Sequence, residues 1–403
     1  MKKKLLSLAL AGTLLTGLLA GCGGGSSPSS APSDGGAASG EKVVTIGVFE
    51  PASGDNGAGG KQEVLGMKYA HDVQPTVEIG GETYKVELKI VDNQSSNDKA
   101  ATAAAELVNA GCSVVLGSYG SSVSIAGSDT FKNAGIPVIG VTCTNPQVTA
   151  DNTHYFRICF LDPFQGTVLA NFAIDNFSAK TAYTLNKQGD DYSGGLCYYF
   201  KKAFEAKGGK VVAAEFPEGT SDFTSYVIAA KNAGADVFFA PVSTEAAALI
   251  IDNVAAQGLN VPLLAGDTWD SNVIIGAAQG KDVEIYVTTF YQEGGNADFD
   301  KGIKEWINAD STRLAENGNN DMIAAVSAMG YDAYFVALEA LKAAGTTDPA
   351  KVNEALWDVT CSGVSGDIAF ESVNGDAVRD VAYVKQANTE NAAWDFVAVQ
   401  GVD

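Results

Sequence analysis

Leu116-Gly117-Ser118-Tyr119-Gly120-Ser121-Ser122-Val123-Ser124 is the stretch on which the reading of this chain turns. The apolar run before it, Ser113-Val114-Val115-Leu116, predicts a buried strand, and residues 123–133 predict a helix. A strand that ends in glycine and serine just before a helix leaves backbone N–H groups and hydroxyls at the helix N-terminus, where amides lack partners and the dipole is positive. Such a corner holds a carboxylate or phosphate well; the same serines serve equally as helix caps. A second strand, residues 136–141, ends in Thr142-Cys143-Thr144-Asn145-Pro146, so more hydroxyls can face the same point. Together the two corners are read as a seat for the anionic end of a small ligand.

Outward from these corners a pattern of strand, loop and helix repeats. Apolar runs at 43–49, 86–91, 113–116, 136–141, 181–185, 210–216, 236–241, 261–265 and 283–289 are separated by helix-length segments. Short apolar strands alternating with helices imply parallel sheets covered on both faces, an α/β fold. Ligands in such folds sit at the carboxyl ends of strands. That rule draws in Asp190-Asp191-Tyr192 after one strand and Asp267-Thr268-Trp269 after another. An acid and a large aromatic side by side at a strand end suit an ammonium and the apolar side chain beside it, partly by cation–π attraction. The other reading makes Asp267 a helix cap and Trp269 a core residue. Helices are expected at 298–308, 321–343 and 349–358, and 368–370, 381–385 and 394–399 read as a small antiparallel finish.

Several tempting motifs fail on detail. The loop Glu50 to Gly60 is rich in glycine but lacks the GKS/T ending of a P-loop. The acidic and amide run 92–98 lacks the glycine and terminal glutamate of a calcium loop and is read as a helix-capping turn. His71 and His154 are the only histidines, and neither neighbours a serine or cysteine in a nucleophile setting, so no catalytic residues are assigned. No metal-ligand spacing and no cofactor motif is present.

At the N-terminus, Lys2-Lys3-Lys4 and an apolar run lead to Leu19-Ala20-Gly21-Cys22, which reads as a secretory signal over 1–21 rather than a spanning helix. The last four residues resemble the bacterial lipobox, in which diacylation of the cysteine, here Cys22, tethers the mature protein to the membrane. Gly23 to Gly40 is almost entirely Gly, Ser, Ala and Pro, the composition of a flexible spacer. The formal charge of −22, from 48 acidic and 26 basic residues, argues against nucleic acid and anionic lipid as direct partners. Beyond Cys22 there are Cys112, Cys143, Cys159, Cys197 and Cys361, with no CxxC spacing; they read as mostly free buried thiols.

Ile46-Gly47-Val48 with Ser53-Gly54, Leu116-Gly117 with Ser121-Ser122, Thr144-Asn145-Pro146, Phe156-Arg157, Asp191-Tyr192-Ser193-Gly194 and Tyr331-Asp332-Ala333 stand in an order that resembles the solute-binding proteins of branched-chain amino acid type ABC transporters. The resemblance runs from about Lys42 to the C-terminus. It implies the type I periplasmic binding protein fold: two Rossmann-like α/β lobes with parallel sheets, joined by three crossovers and closing on an amino acid. The implied division is a signal peptide over 1–21, a lipidated linker over 22–42, a first lobe of 43–160 and 291–363, and a second lobe of 161–290 and 364–403, with Thr360 to Gly366 read as the third passage between them. By position, Ser121 and Thr144 match residues that bind the ligand's carboxylate and amine, with the backbone of Thr142 assisting. Tyr192 matches a second-lobe aromatic near the ligand, and Asp267 the acid that receives the amino group. Two family tyrosines fall near Gly59 and Val242, so Tyr119, Trp269 and Phe290 are candidates to line the side-chain pocket. The implied partners are a small-molecule ligand, an amino acid of branched-chain or similar type, permease subunits and the membrane through Cys22; the alternatives are a ligand-sensing accessory lipoprotein or a binder of a non-amino-acid solute such as an amide or aromatic acid. The protein is expected to act as a monomer outside the cytoplasm.

Overall fold

The computed structural model describes residues 41–402 apart from Ser372. The expected signal segment, the lipobox with Cys22 and nearly all of the linker lie outside the described residues.

Two sheets carry the fold. The first has strands β1 (Val43–Glu50), β2 (Thr76–Ile79), β3 (Glu82–Asp92), β4 (Val114–Leu116), β5 (Val138–Gly140) and β6 (Tyr155–Arg157), in the order β2-β3-β1-β4-β5-β6. All pairs are parallel except the β2–β3 hairpin, with Ile46 opposite Val114 and Val48 opposite Leu116. The second sheet begins with β7 (Thr181–Lys187), β8 (Lys210–Phe216), β9 (Val237–Phe239), β10 (Leu263–Ala265) and β11 (Ile285–Thr289). After an antiparallel ribbon of β12 (Thr360–Gly363) and β13 (Gly366–Ala369), β14 (Ala382–Asn388) and β15 (Ala393–Gln400) complete it in the order β15-β14-β11-β10-β9-β7-β8. Its first five strands are parallel, and β14 and β15 add antiparallel at the edge. The three-residue central strands β4, β9 and β10 are buried throughout, because helices cover both sheet faces and every side chain must be apolar.

In each sheet the strand order reverses once, between β1 and β4 and between β7 and β9. A reversal sends the following helices to opposite faces and opens a crevice at the strands' carboxyl ends. Glu50 and the loop 117–120 line one crevice, and Lys187 to Tyr192 and Val242 line the other.

The helix Gly57–Val73 packs on Ala325–Ala344 at a separation that only glycine allows. A Cβ at Gly66 would lie 1.9 Å from the Ser327 carbonyl oxygen, and one at Gly330 would lie 2.2 Å from that of Glu63. This pair buries Val64, Met67, Met329, Ala333, Val336 and Ala337 in the first-lobe core. A first-lobe helix thus comes from the last quarter of the chain.

Three segments pass between the sheets: one after β6, one after β11, and one before β14. The third differs from the expected 360–366. That stretch forms the β12–β13 ribbon, and the chain then stays with the first lobe, where Ile368 and Ala377 are core residues and Asp376 pairs with Arg157. The passage therefore falls at 378–381, not near 364, because the buried ion pair holds residues 370–377 beside β6. Likewise, 368–370 does not join the antiparallel finish. The expected helix over 321–343 begins at Ala325 and is preceded by a short helix, Ser311–Glu316. Arg379 ties the third passage to the first by donating from Nε to the Ile158 carbonyl at 2.9 Å.

Candidate functional site

In the first lobe, β4 delivers the loop Gly117–Gly120 to the helix Ser121–Ala134. Gly117 has φ of 122°, and a Cβ there would lie 2.4 Å from the Phe49 carbonyl, so the turn requires glycine. The loop is pinned by Glu50, whose Oε2 accepts from the Tyr119 amide at 2.7 Å. Ser121 Oγ accepts from the Asn145 amide at 3.2 Å, which joins the two hydroxyl corners. On the second corner, Thr142 Oγ1 donates to Glu63 Oε2 at 2.5 Å, while Thr144 Oγ1 is buried beside Asp162 with no hydrogen bond of normal geometry among the described residues. Arg157 lies beneath this corner, fully buried. It donates to the Cys143 and Asn145 carbonyls at 2.8 and 2.5 Å and to Asp376 at 2.7 and 2.9 Å.

In the second lobe, the end of β10 presents Asp267. Its Oδ1 accepts from Gln165 Nε2 at 2.9 Å and from the Tyr192 hydroxyl at 3.0 Å. Gln165 also donates to Thr288 Oγ1 at 2.8 Å, and its Oε1 has no partner among the described residues. Gly266 lets Tyr192 close in, since a Cβ there would sit 2.4 Å from its hydroxyl.

The lobes meet across the cleft. Ser122 Oγ donates to Asp190 Oδ1 at 3.1 Å and accepts from the Asp191 amide at 2.7 Å; Asn145 Nδ2 donates to the Asp191 carbonyl at 2.6 Å. Tyr119 reaches from the first lobe to the Thr268 carbonyl at 3.3 Å, and Ser271 donates to Gln62 Oε1 at 3.0 Å. At the rim Lys187 bridges Asp55 at 2.6 Å and Glu218 at 2.7 Å. A cavity of about 460 Å³ opens outward from Tyr119, Tyr192 and Thr268 to that rim.

The cleft is acidic. Burial raises the Asp267 carboxyl to about 6, against the hydrogen bonds from Gln165 and Tyr192, and raises Asp162 to about 8. The Thr144 hydroxyl beside Asp162 opposes that rise, yet it makes no hydrogen bond of normal geometry. Glu63 is raised to about 7 by burial, and Glu50, beside it, is raised well above the ordinary carboxylate range by burial, by the Glu63 charge and by a hydrogen bond shared with the Glu63 carboxyl.

The structure therefore brings Ser121, Thr142, Thr144, Tyr119, Tyr192 and Asp267 to one cleft. Trp269 departs from the ammonium-covering reading: it is fully buried in the second-lobe core, with Nε1 donating to the Val242 carbonyl at 3.1 Å, because the short helical turn Asp267–Trp269 points it inward. Phe290 belongs to the first-lobe core, where it packs on Phe160. The space over Gly59 is filled by the Tyr119 ring, which a Cβ at Gly59 would meet at 2.3 Å. Sequence reasoning passed over Glu50, Glu63, Asp162 and Gln165. The sequence signal was weak: Glu63 ends the polar run Lys61-Gln62-Glu63 just before Val64-Leu65-Gly66-Met67, and Gln165 stands between Phe164 and Gly166-Thr167-Val168-Leu169, each at the edge of an apolar helical stretch.

Two α/β lobes with reversed strand orders facing a shared polar cleft define a solute-binding protein of the hinged, two-lobed class. The sequence model of the Periplasmic binding protein family matches residues 43–391, and the chain belongs to that family. It is 30% identical over 361 residues to Leu/Ile/Val-binding protein homolog 1 of Brucella melitensis, covering 88% of this chain and 93% of the relative. It is 29% identical over 325 residues to an amino acid binding protein of Pseudomonas aeruginosa, covering 77% of this chain and 81% of that one. Among solved structures, the leucine binding protein LivK of Thermotoga maritima is similar with a TM-score of 0.78 and 31% identity, over 89% of this chain and 99% of the other.

Proposed function

We propose that the protein captures an amino acid between its two lobes outside the cytoplasm and delivers it to the permease of an ABC transporter. The observation that carries this reading is Asp267, a buried carboxylate held in place by Gln165 and Tyr192 and placed across the cleft from the Ser121 and Thr144 hydroxyls. Asp267 receives the ammonium, and Ser121 and Thr144 receive the carboxylate with the backbone of Thr142. The names of the relatives, a Leu/Ile/Val-binding protein homolog and a leucine binding protein, support the same ligand class. Each charge-assisted hydrogen bond contributes about 1.5–3 kcal/mol. A few of them, less ordering costs, reach about micromolar affinity. Because the contacts come from both lobes, the ligand binds the closed state preferentially and drives closure.

On this reading Cys22 carries the lipid that holds the protein, as a monomer, at the membrane, and the linker gives the lobes reach to the permease. Thermal unfolding of the purified chain, scanned against the amino acids, tests the ligand class. A ligand at 100 times its dissociation constant stabilises by about 2.7 kcal/mol. Stabilisation by a benzoate-type acid and by none of the amino acids would refute it.

A further inference from the structure

The cavity beside the ligand seat is walled by amides and hydroxyls. Asn56, Gln94, Ser96, Asn97, Ser122 and Thr268 line it, and Val123 is the one aliphatic side chain among its lining residues. Its inner end adjoins the seat: Tyr192, whose hydroxyl meets Asp267, and Ser122, next to Ser121, both face it. At about 460 Å³ it is of the size that small ligands occupy, about 300–1,000 Å³. Gly120 keeps it open, since a Cβ there would meet nothing nearer than Asn56 Nδ2 at 3.8 Å.

The wall is held in place by its own hydrogen bonds. Asp92 fastens the loop 92–98 by accepting from the Ala52 amide at 2.8 Å, the Ser53 hydroxyl at 2.7 Å and the Gln94 amide at 2.8 Å. Ser95 Oγ accepts from the Asn56 amide at 3.1 Å, which sets Asn56 at the start of the helix Gly57–Val73. Asparagine in that position ordinarily caps the helix. Here its side chain makes no capping bond, and its Oδ1 has no partner among the described residues. An amide not committed to its helix is free to turn either its acceptor or its donor to a ligand.

Charge narrows the class further. The wall carries Asp55, Asp98, Asp190 and Glu218 against Lys187, a balance that disfavours an anionic group. Asp55 and Glu218 are engaged with Lys187, and Asp190 with the Ser193 amide at 2.9 Å and the Ser122 hydroxyl at 3.1 Å. Asp98 is exposed to solvent, so no buried carboxylate of this wall waits for a cation. A branched aliphatic side chain would find one valine and would cover polar groups without replacing their hydrogen bonds to water.

We infer that the amino acid's side chain is polar and uncharged, an amide or a hydroxyl, and that it lies in this cavity against Asn56. This rests on the amino-acid reading and narrows it to neutral polar amino acids. A site that offers hydrogen bonds rejects a ligand that cannot make them, because its own groups are then left unpaired.

Isothermal titration of the purified chain with L-glutamine, L-asparagine, L-threonine, L-leucine, L-isoleucine, L-valine, L-lysine and L-glutamate tests the inference. At least one of the first three binds about tenfold or more tightly than any of the other five. Asn56→Ser, which keeps a residue able to cap the helix but is too short to reach the ligand, lowers the ratio of that affinity to the leucine affinity about tenfold. A branched-chain amino acid binding as tightly as all three neutral polar ones overturns the polar side chain and leaves the amino-acid reading standing. Lysine or glutamate binding most tightly overturns the absence of charge and leaves that reading standing too. Silence from all eight overturns the inference, and the melting scan against the remaining amino acids then decides the reading beneath it. If Asn56→Ser does not fold, the ranking by the unaltered chain decides; if it folds and the ratio is unchanged, Asn56 is not the contact and the inference falls at that residue.

Discussion

Replacing Asp267 by asparagine is expected to strengthen the empty protein and weaken its grip on ligand. Burial raises this carboxyl from an ordinary 3.8 to about 6, so in the folded state it resists ionisation. An acid of this kind is without cost below pH 3.8, where it is protonated in both states; the cost grows as pH rises to about 6 and is complete above that. The gap corresponds to about 3 kcal/mol. Asparagine keeps an acceptor for the Gln165 amide and the Tyr192 hydroxyl and removes the charge. At pH 8 the ligand-free variant should therefore melt about 4 °C above the original, and the difference should vanish near pH 3.8. Ligand affinity should move the other way. Losing one charge-assisted hydrogen bond to an ammonium costs about 1.5–3 kcal/mol, a factor of about 10–150 in dissociation constant. Calorimetric melting across pH, paired with titration of the ligand, reads both effects. A variant that is no more stable at pH 8, or that binds as tightly as the original, refutes the assignment of Asp267 as a buried charge awaiting a cation.

Other substitutions probe the frame. Arg157→Met leaves Asp376 buried and unpaired and frees two loop carbonyls, so urea unfolding should report a loss of about 3–5 kcal/mol. Gly66→Ala drives a methyl into the Ser327 carbonyl and should destabilise by about 1–3 kcal/mol or more, whereas alanine at Gly276, where a Cβ meets nothing within 4 Å, should be tolerated in the same assay. Lys187→Ala removes the rim bridge to Asp55 and Glu218; stopped-flow release should show ligand leaving about two- to fivefold faster, as expected for a partly exposed pair. An unchanged release rate would show that the bridge does not hold the lobes shut.

The strands were legible because their burial is two-sided. Val114–Leu116 and Leu263–Ala265 have no polar position to blur the pattern, so a short apolar run was sufficient. The strand-end rule then led to Tyr192 and Asp267. The third passage was misplaced because residues 360–366, with their glycines and serines, read like a connector, whereas the feature that holds residues 370–377 in the first lobe is an ion pair between residues 219 apart in sequence. No local pattern announces such a pair. Trp269 shows a related limit: an aromatic at a strand end is apolar whether it faces a cleft or a core, and only the turn that follows decides. Glu63 and Gln165 were missed because one polar residue on a helix normally faces solvent; here both faces of the helix are covered, and that depends on what packs from elsewhere in the chain.

The close pairing of the helices Gly57–Val73 and Ala325–Ala344 bears on how the molecule is made. When the ribosome has delivered every strand of the first sheet, that sheet still lacks the helix that covers Met67 and seats Gly66 against Ser327. Its core stays open until residue 344 has emerged, by which time the five parallel strands of the second sheet, β7 to β11, have been synthesised as well. Contacts between residues so distant in sequence form late and slowly. A nascent chain of this design therefore carries an unfinished first lobe for most of its synthesis, and that lobe closes only after the strands β7 to β11 of the second sheet have been made.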